Sequence, residues 1–219
     1  ASDESNTEIT IRASLKTKPD IYAEKTVITG ATYEDIDTIT PGSMATVRID
    51  GIDWYVLAKN EGKALIWSAE SVEQRRFDAS SIVWKDSELR TYLNGNWLND
   101  TNVLKEKAVL TTITTRVEDN EEWNTTEDKV FLLSEADLYN TYGCQYSPPD
   151  PKDYTYGDAQ LVTNNEMKKC GDDGRTWLRT TSYDQYVILI DNRSGNLTYV
   201  KNPNTSNYDV RPAMWITMP

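Results

Sequence analysis

Apolar and polar residues alternate in the first half of the chain in a pattern that predicts an antiparallel sheet. Two alternating runs, at 45–49 and 52–58, flank Asp50-Gly51, a dipeptide typical of a tight hairpin turn. A second turn signal at 59–62 leads into a third apolar run at 63–68. The three runs therefore predict three consecutive strands of an antiparallel meander.

The pattern then changes to helical spacing. Asp86 is positioned to cap a helix over 87–93, and a second short helix is predicted over 102–110. A β-branched run at 111–117 predicts a return to strand.

A short apolar strand is predicted at 128–133. Ser134 and Asp137 have the spacing of a capping box, which predicts that a helix over 135–142 begins there. The next segment, 144–176, has the composition of a long loop with one helical turn, and loops of this length are usually functional or disordered.

The last part of the chain is rich in strands. Four of them are predicted, at 176–180, 185–190, 196–200 and 210–218. The order of strands, then helices, then strands indicates an α+β fold rather than alternating βαβ units. Residues 1–41 are predicted to form N-terminal strands or an extended lead-in, and residues 42–219 to form one domain.

The charge of the chain excludes one large class of partners. It has 23 Lys and Arg against 35 Asp and Glu, a formal net charge of −12. Affinity for nucleic acids depends on Lys and Arg, so no nucleic-acid partner is expected. The mean hydropathy is −0.65, and no apolar run is long enough to span a bilayer, so no membrane insertion is expected either.

The absence of histidine limits the chemistry. The chain has no His, which is the usual general base and the commonest transition-metal ligand. We therefore predict no metal site, no cofactor and no catalytic residue.

The N-terminus and the cysteines favour an oxidising compartment. The chain begins with a small polar stretch typical of a mature N-terminus, which favours an extracellular, cell-surface or virion-associated location. Its two cysteines, Cys144 and Cys170, would stabilise the fold by about 3–4 kcal/mol if they paired there. Two free buried thiols are the alternative.

Several short blocks occur in an order that resembles a bacterial family, the domain of unknown function 6273. They cover about residues 42–217, and they are the runs 52–57, 63–66, 84–94, 128–134, 177–179 and 210–216.

The Trp-Leu-Arg run at 177–179 and the Val-Arg-Pro-Ala run at 210–213 are also similar to those of C-type-lectin-like domains. This resemblance implies two helices, a small mixed sheet and a long loop before the final strands, over residues 42–219. The loop lacks a Glu-Pro-Asn or Trp-Asn-Asp ligand motif, so the resemblance does not extend to calcium-dependent sugar binding.

Four residues of the late apolar strands are predicted to be structural: Trp177, Arg179, Arg211 and Trp215. The two arginines would be buried and bonded to acids or carbonyls of the long loop. The alternative is that they clamp a ligand carboxylate.

Residues 182–209 combine Tyr, Asn, Ser and Asp, the chemistry of antibody paratopes. The candidate ligand-binding residues are Tyr183, Asp184, Tyr186, Asn192, Asn196, Tyr199, Asn202, Asn204, Asn207, Tyr208 and Asp209. The alternative is that hairpin turns favour Asn, Asp and Ser in any case.

This layout resembles the variable proteins of diversity-generating retroelements, in which adenine-rich codons late in a C-type-lectin-like fold are diversified. It implies a receptor for a protein or glycan ligand at a cell surface. Two other hypotheses stay open: a structural surface or virion module, and a glycan-active enzyme with two carboxylates about 5–10 Å apart.

Overall fold

The computed structural model describes residues 7–15, 18–117, 122–139, 150–171, 173–182, 186–201, 203–204 and 207–219; before residue 30 it describes the backbone and not the side chains. This part of the chain contains thirteen strands and four short α-helices. The strands are β1 Thr7–Leu15, β2 Lys18–Thr29, β3 Thr46–Ile49, β4 Ile52–Asn60, β5 Lys63–Ser68, β6 Glu73–Arg75, β7 Thr111–Val117, β8 Glu122–Asp128, β9 Arg175–Ser182, β10 Tyr186–Asp191, β11 Leu197–Val200, β12 Tyr208–Val210 and β13 Ala213–Thr217.

The helices are all short. They are α1 Glu88–Tyr92, α2 Val103–Lys107, α3 Glu135–Leu138 and α4 Asn165–Lys168, with 3-10 turns at Tyr33–Thr38, Trp84–Asp86 and Pro151–Asp153 and a π-helical turn at Leu93–Trp97. Small sheets with a few short helices confirm the predicted α+β class. Within the described residues, no helix has the length and apolar character needed to cross a membrane.

The predicted meander forms one side of the core. Strands β3, β4 and β5 pair antiparallel in sequence order, and the C-terminal strand β13 adds beside β5. Asp50 and Gly51 have φ values of 51° and 79°, the backbone conformation that matches the twist of a two-residue hairpin.

Asp50 also joins this hairpin to helix α2. Its carboxylate accepts hydrogen bonds from the backbone amides of Asn102, Val103 and Leu104 at 2.9–3.1 Å. These amides are the unpaired donors at the start of α2. One side chain therefore fixes both a turn and a distant helix end.

The second large sheet is mixed, with the strand order β11-β10-β9-β12-β6. Strand β12 runs parallel to β9 and antiparallel to β6. The prediction of one strand over 210–218 is wrong, because the chain leaves one sheet and enters the other there. Proline lacks a backbone N–H, so the Arg211-Pro212 step suits this break in the ladder.

Other element boundaries differ from the predictions for local reasons. Ser87, not Asp86, caps α1: its hydroxyl accepts from the amide of Arg90 at 3.0 Å. The helix predicted over 102–110 is confined to Val103–Lys107. The capping box of Ser134 and Asp137 is confirmed.

Two predictions around residue 130 are wrong in extent. Helix α3 ends at Leu138, because Tyr139 has an extended backbone and its hydroxyl donates to the carbonyl of Gly195. The strand predicted at 128–133 is reduced to a single bridge between Phe131 and Ala213. The adjacent strand β8 is polar, so the apolar pattern did not predict it; it pairs antiparallel with β7.

One hydrophobic core contains residues from nearly every element. Phe77 lies between Trp84 and Trp177, with ring centroids 6.3 and 5.4 Å away. Ala31, Ile36 and Ile39 are buried in the same core. Strands β1 and β2 pair antiparallel with each other. The division of the chain at residue 42 stays a prediction.

The dual role of Asp50 predicts a large effect of its removal. Asp50→Ala should lower the free energy of unfolding for two reasons. Loss of the helix cap costs about 1–2 kcal/mol, and holding alanine in the left-handed backbone conformation costs about 1–2 kcal/mol more. The measurement is the midpoint of urea unfolding.

Two variants serve as controls for this experiment. Asp50→Asn should cost less, because Asn tolerates the left-handed backbone and keeps one acceptor oxygen. Asp53→Ala removes a half-exposed pair with Arg48 and should cost about 1 kcal/mol or less. Equal midpoints for Asp50→Ala and Asp53→Ala would contradict the dual role.

Candidate ligand-binding site

The structure separates the predicted Tyr- and Asn-rich face into three environments. The side chains of Asn196, Tyr199, Asn204 and Asn207 are exposed, those of Tyr186 and Tyr208 are half-buried, and those of Asn192 and Asp209 are buried. Tyr183, Asp184 and Asn202 lie outside the described residues. The predicted residues therefore do not form one continuous surface.

Two of the tyrosines do meet, at the free edge of the mixed sheet. The rings of Tyr186 on β10 and Tyr199 on β11 pack edge to face with centroids 5.2 Å apart. The ammonium of Lys201 lies 5.6 Å from the centroid of the Tyr186 ring. Tyr199 is 55% exposed although it is large and aromatic. We call Tyr186, Tyr199 and Lys201 the edge patch.

Tyr208 lies elsewhere and has a packing role. Strand β12 is three strands from β11, a separation of about 14 Å at the usual strand spacing. The Tyr208 ring packs edge to face on Trp177 at 5.0 Å, while the Trp177 indole N–H donates to the carbonyl of Arg75 at 2.7 Å. Tyr208 thus extends the aromatic core.

The prediction that Asn192 and Asp209 face a ligand is wrong, because they bond to each other inside the protein. The Asn192 amide donates to the Asp209 carboxylate at 2.6 Å and accepts from the Thr176 hydroxyl at 2.7 Å. Gly174 leaves room for this cluster: a Cβ there would lie 2.8 Å from an Asp209 oxygen. The cluster ties β9, β10 and β12 together.

Arg211 is fully buried at the crossing between the two large sheets. Its guanidinium lies 3.5 Å from the centroid of the Trp67 ring and donates to the carbonyls of Ser68, Met167 and Lys168 at 2.9–3.3 Å. Burial lowers its pKa to about 10. These contacts hold the chain at its crossing point and leave the group without access to solvent.

Arg179 on β9 is the second buried cation. It donates to the Asp137 carboxylate at 3.1 Å, the Thr155 hydroxyl at 3.0 Å, and the carbonyls of Leu132 and Asp153 at 2.7 and 2.9 Å. Two of these partners, Asp153 and Thr155, belong to the long loop, so the arginine joins β9 to that loop. Both charged side chains of the pair are fully buried.

Asp137 accepts further hydrogen bonds of this network. Its carboxylate accepts from the amide of Ser134 at 2.8 Å and from both the amide and the hydroxyl of Thr155, at 2.7 and 2.5 Å. Its carbonyl accepts from the amides of Leu161 and Val162, each at 2.9 Å. The segment 150–162 is therefore fixed from several sides.

A groove of about 310 Å³ opens where this segment meets the four-stranded sheet. We call it the Tyr156 groove; it is lined by Asn60, Lys63, Val109, Leu110, Thr111, Thr112, Thr155, Tyr156 and Trp215. The ring of Tyr156 packs edge to face on Trp215 with centroids 5.2 Å apart. Trp215, predicted to be structural, is buried and forms part of the floor.

Sequence reasoning missed this groove, because its residues come from four separate parts of the chain. The signals present were weak: an apolar residue, Leu110, directly before a Thr-rich strand, and one tyrosine among several in a long loop. Neither signal predicts a contact with the β4–β5 turn.

In its thiol form, the buried Cys170 donates to the carboxylate of Glu70 at 3.3 Å. Burial raises its pKa to about 11, which keeps the thiol protonated at neutral pH. Its predicted partner, Cys144, lies outside the described residues, so their pairing stays a prediction. In the described ranges, no three Cys, Asp or Glu residues are arranged to hold a metal ion.

A comparison with models of known protein families gives a match over most of the chain. A family model with the description "Domain of unknown function (DUF6273)" matches residues 61–218, well over half of the chain. The match begins in the β4–β5 turn and extends to the residue after β13. No curated protein and no solved structure matches the chain.

The crowding around Gly174 predicts a specific stability effect. Gly174→Ala should lower the free energy of unfolding, because φ is +118° and the new methyl group would collide with Asp209. Gly157→Ala is the matched control: φ is +71°, but nothing lies within 4 Å. Backbone strain costs about 1–3 kcal/mol in each variant. In urea unfolding, an equal loss in both would contradict the tight packing of the Asn192–Asp209 cluster.

Proposed function

The chain belongs to the DUF6273 family, and we propose that it is a non-catalytic domain that binds a protein or glycan ligand at a cell surface or on a virion. The observation that carries this proposal is the edge patch. Its exposed tyrosine, Tyr199, is held by a second ring and lies at the open side of a sheet.

The edge patch has the chemistry of a recognition surface. Tyrosine offers a large contact area with few rotatable bonds, so little side-chain entropy is lost on binding. The packing of Tyr199 on Tyr186 restricts that side chain further before a ligand arrives. Lys201 adds a cation, and the exposed Asn196 in the neighbouring turn adds an amide.

The position at a sheet edge adds a second type of contact. β11 is the outermost strand of the mixed sheet. Edge strands present unpaired backbone N–H and C=O groups, to which an extended peptide can bond. A protein ligand could therefore combine backbone bonds with contacts to the two rings.

The finer form of the proposal is a C-type-lectin-like fold. It is supported by the order of elements: a meander, short helices, a long loop, and final strands of which the last, β13, returns to the first sheet. An experimental structure compared with that fold would test this part.

The proposal also includes diversification by a retroelement, and here burial limits which positions would vary. Arg211 is buried and fixed by four contacts, so the run after residue 209 would stay constant. Of the candidate residues, the exposed ones would vary: Asn196, Tyr199, Asn204 and Asn207.

Deep sequencing of the gene in a natural population checks diversification. We expect substitutions at adenines in the codons between 182 and 209, with residues 210–213 unchanged. Asn192 and Asp209 should be conserved within the variable stretch, because their buried bond cannot be replaced without loss of stability. Variation spread evenly over the gene, or none, would contradict diversification.

Alanine variants of the edge patch check ligand binding. The wild-type chain is first applied to a printed glycan array and to a displayed peptide library. For each peptide hit and each neutral-glycan hit, Tyr199→Ala should weaken binding at least tenfold, because aromatic anchors dominate binding energy. The melting temperature should stay within about 2 °C, because a mostly exposed side chain contributes little stability.

Lys105→Ala is the control, since Lys105 is also exposed but lies outside the patch and the Tyr156 groove. Peptide or neutral-glycan hits that keep their affinity in a folded Tyr199→Ala variant would contradict the edge patch as the binding surface. Tyr208→Ala is expected to lower the melting temperature instead, because it removes a contact with Trp177.

A further inference from the structure

The Tyr156 groove has the properties of a second binding site, distinct from the edge patch. The described part of the chain has three large apolar side chains that are exposed: Leu110 at 58%, Tyr156 at 38% and Tyr199 at 55%. Two of these three line the groove. Its volume of about 310 Å³ is near the lower limit of small-molecule sites, which suits a ligand of one or two rings.

One side of the groove is polar and cationic. Asn60 and Lys63 are directly opposite each other at the end of the β4–β5 hairpin, so their side chains lie on the same face. Lys63 makes no ion pair with any described residue, although the chain carries a net charge of −12. The Asn60 amide likewise has no hydrogen-bond partner among the residues that the structure describes.

The groove lining also includes an aromatic ring, that of Tyr156, whose position is fixed by its neighbours. Tyr156 packs on Trp215, and the preceding residue, Thr155, is bonded through its amide and hydroxyl to Asp137. Thr155 also accepts from Arg179, so the buried ion pair holds the backbone of the groove wall. A wall fixed in advance reduces the entropy lost when a ligand binds.

We propose that the Tyr156 groove binds an acidic saccharide of the uronic-acid type. A pyranose ring has an apolar C–H face that fits the electron-rich face of an aromatic ring such as Tyr156. The ring hydroxyls would bond to the Asn60 amide, which both donates and accepts. The carboxylate would form a charge-assisted bond with the Lys63 ammonium.

The mixture of groups favours this class over others. A purely apolar ligand would use neither the Lys63 ammonium nor the Asn60 amide, and where it displaced water from them it would replace none of the lost hydrogen bonds. A phosphate group generally requires several converging donors or cations, whereas this groove contains a single ammonium. An acidic sugar uses the ring, the amide and the cation together.

The experiment compares two matched probes, methyl glucuronide and methyl glucoside, which differ in a carboxylate against a hydroxymethyl group. Binding of each to the full chain is measured by ligand-observed NMR, which detects millimolar affinities. The glucuronide should bind at least tenfold more tightly than the glucoside. That preference should decrease as salt is added, since Lys63 is partly accessible to solvent.

Variants assign each contact to its residue. Lys63→Gln should remove the preference for the acidic probe, and Lys105→Gln, at another exposed lysine, should preserve it. Tyr156→Ala should weaken both probes at least tenfold, and Tyr156→Phe, which keeps the ring, should bind both as the wild type does. The melting temperature of each variant shows that it is folded.

Three results would overturn the assignment: no binding of either probe, a glucuronide preference that survives Lys63→Gln, or full binding by a folded Tyr156→Ala variant. This inference does not rest on the proposed function of the edge patch. Tyr199→Ala should leave both sugar affinities unchanged, so the two proposals fail separately.

Discussion

The buried ion pair between Arg179 and Asp137 is the interaction on which the position of the long loop and of the Tyr156 groove depends. Both side chains are fully buried, and removal of one partner from such a pair typically costs about 3–5 kcal/mol. The pair links β9 to the cap of α3 and, through Thr155, to the long loop. Because that loop carries Tyr156, the buried charges of Arg179 and Asp137 help to fix the geometry of the groove.

Arg211 is also a buried cation, but the groups that contact its guanidinium are neutral. The chain must pass from the mixed sheet to the four-stranded sheet, and the guanidinium bonds three carbonyls and stacks on Trp67 at that point. Carbonyl oxygens and an aromatic face replace the water that burial removes, so the group keeps its charge at neutral pH although its pKa is lowered. Two buried arginines thus connect layers that hydrophobic packing alone would leave free to shift.

The accuracy of the sequence predictions followed the range of the interactions involved. The β3–β4 hairpin and the capping box of Ser134 and Asp137 were correctly predicted, because a few adjacent residues decide them. Strand β8 was missed because its residues are polar, and it is stabilised by pairing with β7 rather than by an apolar face. Asn192 was misassigned, because an asparagine after a strand has the same local pattern whether it is exposed or buried.

By itself, the sequence determined the α+β class, the first meander and the set of tyrosines available for contact. Those properties depend on composition and on neighbours within a few residues. Only the tertiary structure decided that Tyr186 and Tyr199 meet while Tyr208 lies three strands away, and that Asn60, Leu110 and Tyr156 line one groove. The physical reason is that such contacts join residues far apart in the chain, and their proximity depends on strand order and on buried charge pairs.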